Sequence, residues 1–265
     1  MRARFVVFAA ALCACLTVSA QDWARVKLEK SPRHAEWVEV KNGARTVRCF
    51  VVYPEVKDPA PAVLVIHEIF GLTDWARSAA DQVAAAGYVA IAPDLLSGAA
   101  PNGGGSSDFS GTDAAMSAVS KLPANQVTGD LNAAADYVKT LPAVNGKLAV
   151  AGFCWGGGQS FRFACNRPDL KAAFVFYGPP PDATQMEKIK CPVYGFYGGN
   201  DARISATIPN TEKLMKAAGK IYEPVTYEGA GHGFMRAGEQ PDAQPDNKKA
   251  RDQAWERWKS LLGKL

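Results

Sequence analysis

The sequence predicts an α/β protein with a doubly wound, mostly parallel sheet flanked by helices. Three observations lead there. Short continuous apolar runs such as "AVLVI" and "LAVAGF" read as strands buried on both faces. Between them lie stretches of helical periodicity, so strand and helix alternate along the chain. The residues able to do chemistry follow the strands, at the carboxyl ends where such sheets bind ligands: Glu68, Asp94, Cys154, Tyr177, Asp201 and His232. With 265 residues, one large domain over 21–265 is expected rather than two small ones.

The first 20 residues are expected to stand outside that domain as a signal peptide. Arg2 and Arg4 precede an apolar run through Thr17, and Val18-Ser19-Ala20 forms a small-x-small cleavage pattern. The run is too short to span a bilayer, so a periplasmic or secreted protein free of the membrane after cleavage is predicted. A lipid anchor on Cys15 is the alternative, with Leu12 in its favour and Cys13 against it.

The domain opens with "EWVEV" and "RTVRCFVVY", whose alternation marks two antiparallel strands at a sheet edge. "PAVLVIHE" follows as a buried strand, and "DWARSAADQVAAAG" as a helix closed by glycine. "YVAIAPDL" is the next buried strand, and a helix is predicted over 126–140. "KLAVAGF" leads into a helix running through Arg162. "AAFVFYG" and "CPVYGFYGG" are two more strands, the second followed by a helix over 205–218. "YEPVTYEG" is the last strand. In the closing helix, 248–262, Trp255, Trp258, Leu261 and Leu262 share one face, which predicts docking on the sheet. Residues 97–124 break the alternation. They are rich in glycine and serine, long for a connection, and placed after a strand end, so they are predicted as a flexible lid or pocket wall.

Composition narrows the function. The chain is 48% hydrophobic and 21% charged, with a formal charge of +4 to which Arg2 and Arg4 contribute. That excess is too small to argue for nucleic acid or an acidic surface. A small-molecule partner and a monomeric state are expected. Neither the three histidines nor the cysteine spacing suits a zinc site, and no metal or cofactor is implied. Beyond the leader lie Cys49, Cys154, Cys165 and Cys191, so with Cys154 as a thiol at most one disulfide is open to the others.

The chemistry concentrates in "GFCWGG". A strand, a tight turn between Gly152 and Gly156, and a helix make a nucleophile elbow with Cys154 at its tip. The amide of Trp155 then faces the place where an oxyanion forms, at the positive end of a helix that also favours thiolate. Asp201 follows a strand in "YGGND", and His232 lies in the glycine-rich "GAGHGFM" after the last strand. Nucleophile, acid, histidine is the chain order of the α/β-hydrolase triad, with histidine as base and the carboxylate fixing its tautomer.

These residues resemble the dienelactone hydrolase (carboxymethylenebutenolidase) family of the α/β-hydrolases. The motifs "VIHEIFGL", "APDL", "GFCWGG", "YGGNDARI" and "GHGFM" appear in family order from about Val38 to Leu262. The resemblance implies that Cys154, Asp201 and His232 form the triad and that Glu68 holds the resting thiol until substrate arrives. It implies the amide of Ile69 as second oxyanion donor beside Trp155. His67 is read as structural. Arg236, four residues after the histidine, matches one arginine of the family's substrate carboxylate clamp, and Arg203 is a further candidate anion contact. The chain departs from the pattern in lacking any arginine between Arg77 and Arg162, where family members that cleave dienelactone carry another; Lys121 and Lys139 offer no bidentate fork. The leader is a second departure. The reading that follows is a cysteine hydrolase of small esters or lactones working through a thioester. Its rival is a non-catalytic binding or redox protein retaining the fold, in which Cys154 is oxidised.

Overall fold

In the computed structural model, which describes residues 22–265, the strands are β1 (Ala35–Asn42), β2 (Arg45–Val52), β3 (Ala60–Ile66), β4 (Val89–Pro93), β5 (Val144–Phe153), β6 (Ala172–Phe176), β7 (Val193–Gly198) and β8 (Tyr222–Tyr227). They form one sheet ordered β1-β2-β4-β3-β5-β6-β7-β8. β2 pairs antiparallel with both β1 and β4, and every later pairing is parallel. The predicted doubly wound sheet with an antiparallel edge is therefore what the chain forms. The leader, with Cys13 and Cys15, lies outside the described residues.

Longer helices cover both faces: α1 (Asp22–Glu29), α2 (Asp74–Ala85), α3 (Thr112–Ser120), α4 (Ala124–Thr140) and α5 (Trp155–Asn166). After them come α6 (Ala183–Met186), α7 (Ala202–Ser205), α8 (Ile208–Ala217), α9 (Phe234–Ala237) and α10 (Pro245–Leu262). Side chains alternate across a strand, which is why the apolar runs are continuous. Leu64, Ile66, Leu148 and Val150 pack beneath α4 and α5, whereas Val63, Val65, Ala149 and Phe153 pack beneath α2 and α10. Each such fully buried valine, leucine, isoleucine or phenylalanine contributes about 2 kcal/mol. Trp258 anchors α10 as predicted, lying 6.0 Å from Phe153, 5.9 Å from Phe174 and 4.9 Å from Phe176 by ring centroid. Among the described residues no helix is long and apolar enough to cross a membrane.

Two regions differ from expectation. Residues 97–124 are not a structureless connection: two 3-10 turns, Pro101–Gly103 and Ser106–Asp108, precede α3 and the start of α4. The buried Asp94 carboxylate accounts for this order. It accepts bonds from the amide of Ser106 at 2.8 Å and its hydroxyl at 2.6 Å, while that hydroxyl accepts from Leu72 N at 2.8 Å. The second difference is α1, whose "DWARVKLE" is mostly polar. It is held by a buried Ala24 and by an ion pair from Lys27 to Glu239 at 3.1 Å. The Glu239 side chain is only 4% exposed and also accepts from Gln82 and Arg251, so one carboxylate ties α1, α2 and α10 to the segment just after α9.

Replacing Glu239 by Ala should lower stability by on the order of 2 kcal/mol, the cost of stripping charged hydrogen bonds from Arg251 and its neighbours. Urea unfolding measures the loss. Faster hydrogen exchange confined to α1 and the residues after α9 should accompany it, and uniform exchange along the chain would contradict this account.

Candidate active site

Cys154 joins β5 to α5 with φ 55° and ψ −117°, a conformation that costs a non-glycine residue backbone strain. The surroundings enforce it. A β-carbon on Gly152 would fall onto the Gly156 carbonyl, and one on Gly156 would fall onto the carbonyls of Ile66 and His67 at the end of β3. The amide of Cys154 donates to Phe176 O at 3.0 Å, fixing the turn against β6 as well. The thiol is half-buried and points at a histidine.

That histidine is His232, its Nε2 3.1 Å from Cys154 Sγ. Its Nδ1 lies 2.5 Å from Asp201 Oδ2, and since a carboxylate only accepts, Nδ1 is the donor. The two loops are sewn together by Asn200, whose amide bonds Ala230 O at 2.9 Å and whose side chain bonds Gly229 O at 2.9 Å. Asp201 also caps α7 through Ile204 N. The His232 imidazole is pushed up to about 9, chiefly by its bond to Cys154, with burial opposing and Asp201 adding. Tyr177, itself at φ 41°, sets its ring edge-on to His232 at 5.1 Å. Its hydroxyl is buried without a hydrogen-bond partner.

Glu68, expected to hold the resting thiol, is paired with Arg236 in this structure. Its carboxylate, 3% exposed, accepts from Arg236 Nε at 2.7 Å, and Cys154 is turned to His232 instead. A buried carboxylate needs a positive partner, and α9 returns Arg236 to it one helical turn after the histidine. Burial pushes Glu68 up against the pull of Arg236 and His232. Burial likewise works against the Arg236 charge, but Glu68 more than offsets it. Arg236 is therefore not a free clamp. Arg203, the further candidate anion contact, is exposed in the first turn of α7 and does not border the cleft described below.

Trp155 opens α5, where an α-helix leaves its first amides without intrahelical acceptors. Ile69 lies in the turn after Glu68, and no backbone acceptor of the described residues engages its amide. His67 is buried, with Nδ1 2.7 Å from Glu68 O, its ring stacked on Trp155 and its basicity lowered by burial, as a structural residue would be. Cys49, Cys165 and Cys191 are buried free thiols, pushed by burial up to about 12, 11 and 12.

A cleft of about 370 Å³ is bordered by Phe70, Thr73, Ser106, Phe109, Ala115 and Arg236, the last being the partner of Glu68. Phe70 follows Ile69, and Arg236 stacks over its ring at 5.1 Å. Residues 106–115 supply the opposite side, so the segment predicted as a lid or wall is a wall. Phe70, Ser106 and Phe109 were not singled out from sequence. The buried aspartate of "APDL" was the available signal, since it needs a donor and Ser106 provides one.

Known proteins resemble this chain. The model of the dienelactone hydrolase family matches residues 47–265. A protein of Methylorubrum extorquens assigned as a carboxymethylenebutenolidase is 35% identical over 193 residues, 68% of this chain and 65% of its own length. The chain thus spans just under two thirds of that relative. One from Saccharolobus solfataricus with the same assignment is 31% identical over 254 residues, 84% of this chain and 96% of its own. The crystal structure of a Klebsiella pneumoniae protein assigned as a dienelactone hydrolase superposes with a TM-score of 0.77 at 26% identity, covering 88% of this chain and 99% of that one.

The geometry predicts an order of thiol reactivity. Iodoacetamide at neutral pH should alkylate Cys154 well before Cys49, Cys165 or Cys191, as read by peptide mass spectrometry. In His232→Asn the Cys154 rate should fall by on the order of 10-fold, because the base that receives the thiol proton is gone. Equal rates in the two proteins would show that the 3.1 Å contact does not activate the thiol.

Proposed function

The chain belongs to the dienelactone hydrolase family, and from that premise we propose that it is a cysteine-dependent hydrolase of small esters or lactones. The observation that carries the reading is the continuous line from Asp201 through His232 to Cys154, at 2.5 and 3.1 Å, on a strained elbow. Cys154 Sγ attacks the carbonyl carbon, and the amides of Trp155 and Ile69 donate to the developing oxyanion. The imidazolium of His232 passes its proton to the departing alkoxide, leaving a thioester on Cys154.

Electrostatics supports both halves of the cycle. The bond to the thiol is the largest cause raising His232, so acylation, which consumes that partner, removes it. Already neutral after giving its proton to the leaving group, the imidazole is then the base for the water that hydrolyses the thioester. Asp201 holds the same tautomer in both steps. A periplasmic or secreted location belongs to the proposal, supported by the leader pattern ending at Ala20. Protein recovered from that compartment should begin at Gln21.

Steady-state hydrolysis of a dienelactone and of p-nitrophenyl acetate, with Cys154→Ala as blank, tests the activity. Wild type should exceed the blank, and acid quenching should trap an acyl group on Cys154. His232→Asn should lower kcat/KM by roughly 10²–10⁴-fold. The pre-steady-state acylation rate should fall as pH rises through about 9, where His232 loses the proton it must donate. Wild-type rates equal to the blank would favour a binding protein that has kept the fold.

A further inference from the structure

Resting on that reading, we infer that His67 is a positioning residue of the reaction: its Nδ1 proton, bound to the carbonyl of Glu68, aims the amide of Ile69 at the oxyanion. The geometry is that of a single peptide unit. Glu68 O and Ile69 N–H belong to one planar trans group, so they point in opposite directions, and whatever holds the carbonyl also holds the amide. His67 Nδ1 lies 2.7 Å from Glu68 O. A carbonyl only accepts, so Nδ1 carries the proton. The other support for that oxygen is the amide of Gly71, at the longer distance of 3.3 Å across the turn.

Released from these bonds, the peptide could turn over and present its carbonyl where its amide had been. An oxyanion is repelled by a carbonyl oxygen, so the turn would convert a donor into a cost. The bond also polarises the peptide: a carbonyl that accepts a hydrogen bond leaves its own N–H a stronger donor.

His67 is placed for this and for little else. The imidazole is wholly buried, and its Nε2 has no hydrogen-bond partner. Leaving a buried nitrogen unpaired is unfavourable, so a ring that only filled space would be better apolar. The bond from Nδ1 to Glu68 O is what accounts for a histidine here. Burial lowers its basicity as well, which favours the neutral ring. The same ring stacks on Trp155, with centroids 5.5 Å apart and planes at 14°, and Trp155 is the other donor of the proposed reaction. Behind the ring, the His67 carbonyl fills the space that a β-carbon at Gly156 would need. One residue thus braces both donors, the first by a hydrogen bond and the second by contact.

Two variants separate the bond from the packing. His67→Phe keeps a flat ring against Trp155 and removes the donor. His67→Asn loses the ring but puts an amide nitrogen in the place of Nδ1. With p-nitrophenyl acetate, His67→Phe should lower kcat by roughly 10–100-fold at nearly unchanged KM, part of the loss that follows deletion of an oxyanion donor. His67→Asn should stay within about 3-fold of wild type. Alkylation of Cys154 by iodoacetamide displaces iodide and forms no oxyanion, so its rate should be alike in all three proteins. Wild-type kcat in His67→Phe, equal losses in both variants, or alkylation falling in step with kcat overturns the inference. If His67→Phe does not fold, His67→Gln takes its place with the same expectations, because the longer side chain carries its amide nitrogen past the position of Nδ1.

A further measurement needs no turnover. Acetaldehyde adds reversibly to the thiol: the S–C bond forms, the carbonyl π bond opens and the thiol proton passes to oxygen, which shields Cys154 from iodoacetamide. His67→Phe should need several-fold more acetaldehyde than wild type for equal shielding, and equal need overturns the inference. Wild-type turnover no better than Cys154→Ala would count against hydrolysis alone, since the aldehyde comparison still decides the part of His67.

Discussion

The site depends on one close approach. The elbow after β5 sits so near the end of β3 that the carbonyls of Ile66 and His67 leave no room for a side chain at residue 156. Glycine there lets α5 start against β3, and the parallel pairing of β3 with β5 fixes the register through Ile66 and Gly152. Everything chemical follows from this contact. It brings the turn after β3, which carries Glu68 and Ile69, against the start of α5, although the two segments are far apart in sequence. It also holds Cys154 at a positive φ that no isolated turn would favour, so the sheet supplies the strain energy.

Around that contact the ionisable side chains form two hydrogen-bonded pairs, Cys154 with His232 and Glu68 with Arg236. They differ in what they permit. Within the proposed reaction the first pair is transient, because acylation dissolves it and thereby changes the histidine from acid to base. The second is buried, and neither member can leave without stranding the other's charge. Arg236 lies on the same single-turn helix that follows His232, so the second pair also fixes where the histidine loop ends.

Much of the fold was legible in the sequence because a parallel sheet covered on both faces must be written as uninterrupted apolar runs. Cys154, Asp201 and His232 were legible for a related reason: each follows such a run, and glycines at the neighbouring positions mark turns too tight for side chains. What stayed hidden depends on partners distant in sequence. Glu68 chooses Arg236 across 168 positions, and neither residue's local context announces it. The single turns α6, α7 and α9 are too short to carry a periodicity. The polar α1 is fastened by Glu239, near the opposite end of the chain. Phe109 lies in a glycine-rich stretch that reads as loop until the bond from Ser106 to Asp94 gives it a fixed place.

The pairing of Glu68 with Arg236 also changes the reason for a cysteine at the elbow. Were Glu68 free, it could hold the thiol and a resting proton. Engaged as it is, the proton of Cys154 has His232 as its acceptor at 3.1 Å. For that transfer to be favourable near neutral pH the nucleophile must be acidic enough to share a proton evenly with an imidazole. A thiol meets the condition and a hydroxyl, many units less acidic, does not. In the proposed cycle a serine at 154 would hand its proton to His232 only as it attacks, whereas a thiol can share its proton with the imidazole beforehand. The identity of the nucleophile and the basicity of the histidine are thus one property of the site, set by the neighbour that Glu68 has already taken.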